Sequence, residues 1–369
     1  MTVTNQPAPD SLYIPSLDGI RAISFFLVFF SHIGLGGVVP GGFGVSIFFL
    51  LSGFLITTLL RAEFARYQRI SLSSFYLRRV LRILPPLYVT LALAALLWYP
   101  DIPFAGTLAQ ALQVSNYYEI FASDPRSMKG SAVLWSLAVE EHFYLIFPLL
   151  YVWMCSRFSF RRQALILLAL CGAALAWRCV LHFYFHAAFV HTYYASDTRF
   201  DSILFGCLFA VIANPVFNDP AHARLLRWMG WLLPLCLVVL LGTFLVRGES
   251  FRETLRYSLQ GLALIPIFIA AIHYQKSWPV RFLNLRPVRF LGVLSYSLYL
   301  CHYIILEKLA SFWTGNDLLR FTLGLACALC FAALVHYWVE RPAAKLRKRL
   351  SKARKAVQVG TPSARTVGP

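Results

Sequence analysis

Nonpolar residues gather into stretches of about 20, separated by shorter polar connections, and each stretch is long enough to cross a hydrocarbon layer about 30 Å thick. The stretches occupy approximately residues 19–38, 42–60, 80–99, 133–155, 163–183, 200–216, 228–246, 257–273, 289–313 and 320–338. A segment without water must satisfy its own peptide groups, and runs of this length do so as α-helices. The pattern predicts an all-α, polytopic integral membrane protein with about ten transmembrane helices. Residues 1–18 are a short polar lead with little positive charge. No small-residue cleavage site follows the first run, so that run reads as a retained helix and not a signal peptide. Residues 19–342 read as one membrane domain without an internal repeat. The connection at about 100–132 is too long for a simple turn and, with Phe104, Tyr117, Tyr118 and Phe121, is expected to fold back as a lid or interfacial helix.

The polar connections orient the chain. Arg61, Arg66 and Arg69 follow the second run, Arg157, Arg161 and Arg162 the fourth, Arg224 and Arg227 the sixth, and Lys276, Arg281, Arg286 and Arg289 the eighth. Basic connections stay in the cytoplasm, which puts both termini there. The tail, 343–369, is basic and expected to be disordered and surface-associated. Composition agrees: 59% of the 369 residues are hydrophobic and 14% charged, against about 25% charged in a soluble globular chain. The net charge of +18 would suggest nucleic acid in a soluble protein. About 25 of the 34 Lys and Arg fall on the cytoplasmic side, so the charge is topological and no nucleic-acid partner is expected. The eight cysteines lie in or beside apolar runs and read as small buried residues, and Cys327 and Cys330 lack a second pair for zinc.

Ionisable side chains inside a span are costly and mark function by default. Arg21 and His32 are eleven residues apart, which on a continuous helix returns within about 20° of one face at a rise of about 16 Å. A cation at the cytoplasmic end and an imidazole deep in the membrane suit a long anionic donor with a reactive far end, such as a coenzyme A thioester. In the fourth run, Glu140 and Glu141 lie at the depth of His32, and one of them is expected to face it, fixing its tautomer and stabilising its protonated form as a general base requires. Arg78, Arg79 and Arg82 enter the third run, with Pro85 and Pro86 just beyond, and are placed to clamp phosphates. Asp197, Arg199 and Asp201 open the sixth run and can pair with one another, either as an internal salt bridge or as an acceptor site. The polar run Ser295, Tyr296, Ser297, Tyr299 and His302 reads as helix glue. His182, His186 and His191 lack a carboxylate or thiol among them, and no metal site is expected.

In these residues the chain resembles the acyltransferase family 3 group of membrane enzymes over about residues 15–342. The resemblance rests on Ser16-Leu17-Asp18-Gly19-Ile20-Arg21-Ala22 with His32, and on Gly42-Phe43-Gly44-Val45 leading to Phe48 through Ile56. It continues with Phe75-Tyr76-Leu77-Arg78-Arg79 with Arg82, then Trp135-Ser136-Leu137 with Val139-Glu140-Glu141, then Arg199, Asp201 and Gly206, and finally Ser295 to Tyr299. Ser46 and His142 depart from the Asp and Gln usual there. The family implies acyl transfer, most often of acetyl, from cytoplasmic acyl-CoA to a hydroxyl of a saccharide acceptor reached from the membrane or its outer face, in a bacterial cytoplasmic membrane. It places His32 at the essential-histidine position, as base or transient acyl carrier, and Arg79 and Arg82 at an Arg-x-x-Arg element. Arg21, Arg78, Arg79 and Arg82 are then the donor-binding candidates, and Trp135, Ser136, Asp197, Arg199, Asp201 and Tyr296 the substrate-binding ones. Acyl-CoA enters as co-substrate, with no tightly bound cofactor. A transporter would also bury charges, but would usually repeat its halves.

Overall fold

A computed structural model describes residues 13–217 and 219–359. Among them the regular structure is helical, without strands. Nine helical segments are long and apolar enough to cross a membrane, or ten if one bent pair counts as a span. The chain runs α1 (Pro15–Phe30), α2 (Gly41–Tyr67), α3 (Leu72–Trp98), α4 (Phe104–Ala111), α5 (Ser115–Phe121), α6 (Trp135–Arg157), α7 (Phe160–Phe183), α8 (Phe189–Tyr194), α9 (Ser196–Ile212) and α10 (Pro220–Arg227). It continues with α11 (Met229–Leu245), α12 (Glu249–Glu253), α13 (Leu255–His273), α14 (Trp278–Leu283), α15 (Arg286–Ala310), α16 (Asp317–Val335) and α17 (Arg341–Val359). The bent pair is α10 with α11, which meet at 81°. The long connection at 100–132 holds α4 and α5.

Local chemistry sets several ends. Pro15 occupies the first turn of α1, where its missing N–H costs nothing. Ser71 caps α3 and Asn316 caps α16 by accepting from backbone N–H groups. α1 stops at Phe30, and Ser31–Leu35 form a wide π turn in which Gly34 takes φ 93°, a conformation that glycine adopts freely.

Small residues bring the helices together, as expected where lipid supplies no hydrophobic drive between them. Gly53 of α2 lies on the Ile203 backbone and Gly206 of α9 on that of Leu50, so α2 and α9 run parallel in close contact. Gly292 of α15 lies on Asp18 of α1 in the same way, and Gly44 joins α2 to α1 at Ser24. Large apolar side chains such as Leu145, Leu149, Leu237 and Leu241 remain exposed, which is the surface a bilayer would cover.

Three expectations change here. The first span does not continue as one helix to residue 38, because the wide turn interrupts it. Cys327 and Cys330 are exposed on α16 instead of buried. Residues 341–359 of the tail form α17, which packs against α3, while residues 1–12 and 360–369 lie outside the described residues.

Candidate functional site

A cavity with about 1210 Å³ of open space enters the bundle among α1, α2, α3, α6 and α15. Its wall carries the cations Arg21, Arg79 and Arg82 and the carboxylate of Glu140. Arg79 and Arg82 share a face of α3 by their three-residue spacing. Pro85 and Pro86 deprive the carbonyls of Leu81 and Arg82 of their usual helical donors. One residue on, the Ile83 carbonyl accepts from the Tyr296 hydroxyl at 2.9 Å, which ties α15 to this turn. The Arg79 guanidinium lies 4.4 Å from the centre of the Tyr144 ring. Glu140 accepts from Ser52 Oγ at 2.8 Å and from the Tyr144 hydroxyl at 3.2 Å. In the same wall, Ser136 Oγ and the Tyr299 hydroxyl are 2.7 Å apart.

Arg78 is not part of this wall. Its guanidinium pairs with Glu63 at 2.9 Å, so the expected clamp of three arginines from α3 reduces to Arg79 and Arg82, joined by Arg21 from α1. The buried Nε of Arg21 has no hydrogen-bond partner among the described residues.

His32 stands apart from both glutamates, contrary to the expected pairing. His32 lies in the wide turn just before Ile33 and Gly34, the residues that leave helical geometry, and its Nδ1 lies 3.0 Å from Nε2 of His302 on α15. Its ring stacks on Tyr303 at 4.4 Å. The partners decide the tautomers. His302 Nδ1 lies 2.9 Å from the Tyr299 carbonyl and 3.1 Å from that of Leu298, so it must carry the proton. Neutral His302 then accepts at Nε2, His32 donates from Nδ1, and the His32 Nε2 keeps a lone pair. A histidine thus orients His32 where a carboxylate was expected. His302, read as helix glue, does hold α15 to α1. Glu140 faces the cavity, and Glu141 Oε1 is buried without a hydrogen-bond partner among the described residues.

The opening of α9 separates into unrelated contacts instead of an internal triad. Asp201 pairs with Arg178 of α7 through two bonds of 2.9 and 2.7 Å and accepts from Ser258 of α13. Arg178 also donates to the Thr198 carbonyl. Arg199, fully buried, lies among the rings of Tyr257 (3.8 Å), Tyr193, Phe49 and Trp135, with Ser46 Oγ at 3.3 Å. Asp197 accepts from the Tyr117 hydroxyl and the Trp177 indole. Trp135 stacks on Tyr194 at 4.8 Å and does not line the cavity, whereas Ser136 and Tyr296 do. His142 Nδ1 contacts Ser196 Oγ at 2.7 Å. His182 approaches Glu253 at 3.5 Å, a carboxylate distant in sequence.

Sequence reasoning missed Arg178, although a charge inside the fifth apolar run was signal enough. It also treated Arg61 as a flanking cation. Arg61 is buried, forms a two-bond pair of 2.6 Å each with Asp219, and donates to the last carbonyls of α9, including Ala210 at 2.9 Å. Ser297 and Glu340, joined at 2.6 Å, fasten the last turns of the bundle to α15, with His336 on the same carboxylate at 2.7 Å.

A family model described as an acyltransferase domain matches residues 14–337. The chain belongs to this acyltransferase family. The O-acetyltransferase OatA of Staphylococcus aureus strain NCTC 8325 is 28% identical over an alignment covering 92% of this chain and 58% of its own length. The peptidoglycan O-acetyltransferase OatA of Listeria monocytogenes serovar 1/2a is 30% identical, covering 90% of this chain and 56% of its own. A putative O-acetyltransferase of Staphylococcus aureus strain COL is 27% identical, with 89% and 57% covered. The chain thus spans rather more than half the length of these curated relatives. No solved structure matches it.

Proposed function

We propose that the protein is a membrane O-acyltransferase that moves an acyl group, acetyl by the names of its relatives, from acyl-CoA to a hydroxyl of a saccharide acceptor. It would sit in a bacterial cytoplasmic membrane with its basic connections inside. The observation that carries the reading is one cavity whose wall holds three arginines together with Tyr299, whose carbonyl fixes the His302–His32 pair. Arg79, Arg82 and Arg21 bind the donor phosphates, since guanidinium groups bind oxyanions through paired N–H donors. The single carboxylate in the wall, Glu140, is engaged with two hydroxyls and leaves an excess of positive charge there.

The donor's arm then lies between the helices with its thioester near the imidazole pair. His32 Nε2 takes the proton from the acceptor hydroxyl as that oxygen attacks the thioester carbonyl. The carbon–sulfur bond breaks, and the protonated imidazole returns the proton to the departing thiolate, giving ester and free coenzyme A. Such base assistance is worth about 10²–10⁴-fold. In the alternative order the same lone pair first accepts the acyl group itself and then passes it on. Incubating purified protein with radiolabelled acetyl-CoA, and following coenzyme A release and label on the protein, tests both. Turnover lost in His32→Ala is expected. Turnover that survives in His32→Ala would remove His32 from the chemistry, and donor binding or turnover by neither protein would overturn the donor assignment in favour of transport.

A further inference from the structure

A second cavity, with about 1340 Å³ of open space, lies at the other end of α1 against its break. Ser31, the neighbour of His32, lines it, as do Arg247 and Arg252 from the segment joining α11 to α13 and Arg256 from the first turn of α13. No carboxylate is in its wall. Of the two acids nearest in sequence, Glu249 is exposed and outside the wall, and Glu253 is buried and turned away, accepting from Thr192 Oγ1 at 2.8 Å and facing His182. Arg256 is steadied by the Tyr257 hydroxyl at 2.9 Å. Arg247 and Arg252 are exposed and, among the described residues, make no side-chain hydrogen bond or ion pair.

Three guanidinium groups around one concavity repel one another unless an anion sits among them. Their position adds an independent reason. This end of the bundle carries the connections that the inside-positive rule leaves poor in Lys and Arg. Three arginines within residues 247–256 therefore need a cause other than topology, and paired recognition of an oxyanion is the role for which Arg is suited over Lys.

We infer that this cavity binds an acidic saccharide, whose carboxylate or phosphate is held by Arg247, Arg252 and Arg256 while a neighbouring sugar hydroxyl is presented toward His32. Naming the ligand as acceptor rests on the acyl-transfer reading above; the oxyanion site itself does not.

The test is calorimetric titration of the full chain in lipid nanodiscs with three probes: trigalacturonate, its carboxyl-reduced neutral trisaccharide, and a phosphorylated trisaccharide. Wild-type protein is expected to bind at least one acidic probe at least about tenfold more tightly than the neutral one, with the preference shrinking as salt screens the charges. The Arg247→Gln/Arg252→Gln double variant changes two exposed side chains and should keep the wild-type melting temperature while losing the preference; Arg256→Gln should weaken it. Whichever acid binds better names the oxyanion. Equal binding of acidic and neutral probes, no binding of either acid, or a preference that survives in the double variant would overturn the site. Coenzyme A release from labelled acetyl-CoA by the same wild-type sample separates the two readings. Acid binding without donor turnover would remove acyl transfer alone, and donor turnover without acid preference would remove the acidic acceptor alone.

Discussion

Gly292→Ala should disable the His32–His302 pair from about 15 Å away, ten residues back along α15 at 1.5 Å per residue. A Cβ built on Gly292 lies 2.5 Å from the Asp18 carbonyl carbon and 2.9 Å from its Cα. Carbon atoms in contact settle at about 3.5 Å, so alanine forces α15 back from α1 by about 1 Å. The two helices run parallel, and if they part as rigid rods the 3.0 Å separation of His32 Nδ1 and His302 Nε2 opens to about 4 Å, outside hydrogen-bond range. His32 then loses the partner that holds its Nδ1 proton and aims its Nε2. Misplacement on this scale costs on the order of 10²-fold in rate. Overpacking itself costs about 1–3 kcal/mol of stability, so part of the protein should remain folded and testable. The control is Gly172→Ala on α7, where an added Cβ meets nothing within 4 Å. Acyl-transfer turnover and melting temperature are measured for both variants in one detergent. Gly292→Ala that remains folded yet turns over within about threefold of the control would refute the claim that α1–α15 spacing sets the base.

Two further outcomes follow from the partners found in the structure. Arg79→Gln should weaken acyl-CoA binding by about tenfold or more, because a wall cation for phosphate is lost, whereas Arg78→Gln should leave it within about twofold, because Arg78 serves Glu63; equilibrium binding of a nonhydrolysable thioester analogue compares them. Arg178→Met leaves Asp201 buried without its cation and should cost about 3–5 kcal/mol, while Arg178→Met/Asp201→Leu, which removes both charges, should recover much of it in thermal unfolding.

The spans were legible because membrane solvent imposes one demand on every segment, an apolar run of sufficient length. The charged and polar residues in those runs were legible for the same reason: Arg21, Arg79, Arg82 and Glu140 all line one cavity, as their cost in a membrane suggests they should have a use. Partnerships were not legible. Depth along a helix follows from counting residues, but which neighbour faces a side chain depends on how helices that are distant in sequence pack. Glu140 and His32 share a depth yet face different helices. The π turn at Ser31–Leu35, which ends the first helix just after His32, was not read from the sequence, although Gly34 hinted at it. Arg178 had the same signal as Arg21 and was passed over, while Asp201 was paired by proximity in sequence with Arg199. In three dimensions the Asp201 carboxylate takes the guanidinium that reaches it with two bonds.

The break in α1 gives the two cavities a common point. Tyr299 lines the cavity that carries Arg21, Arg79 and Arg82, and its carbonyl holds His302; Ser31 lines the second cavity, and its neighbour is His32. The imidazole pair thus adjoins a lining residue of each cavity. Ile33 and Gly34 leave helical geometry directly after His32, whose Nδ1 lies against His302 of α15, a helix that frames the first cavity. In the proposed transfer, a donor and an acceptor held in different cavities need water kept from the thioester, since a thioester on an open water path would be hydrolysed in preference to reacting with the intended hydroxyl. Separate seats for donor and acceptor, each adjoining a residue next to or bonded to the imidazole pair, would then favour the proposed transfer over hydrolysis.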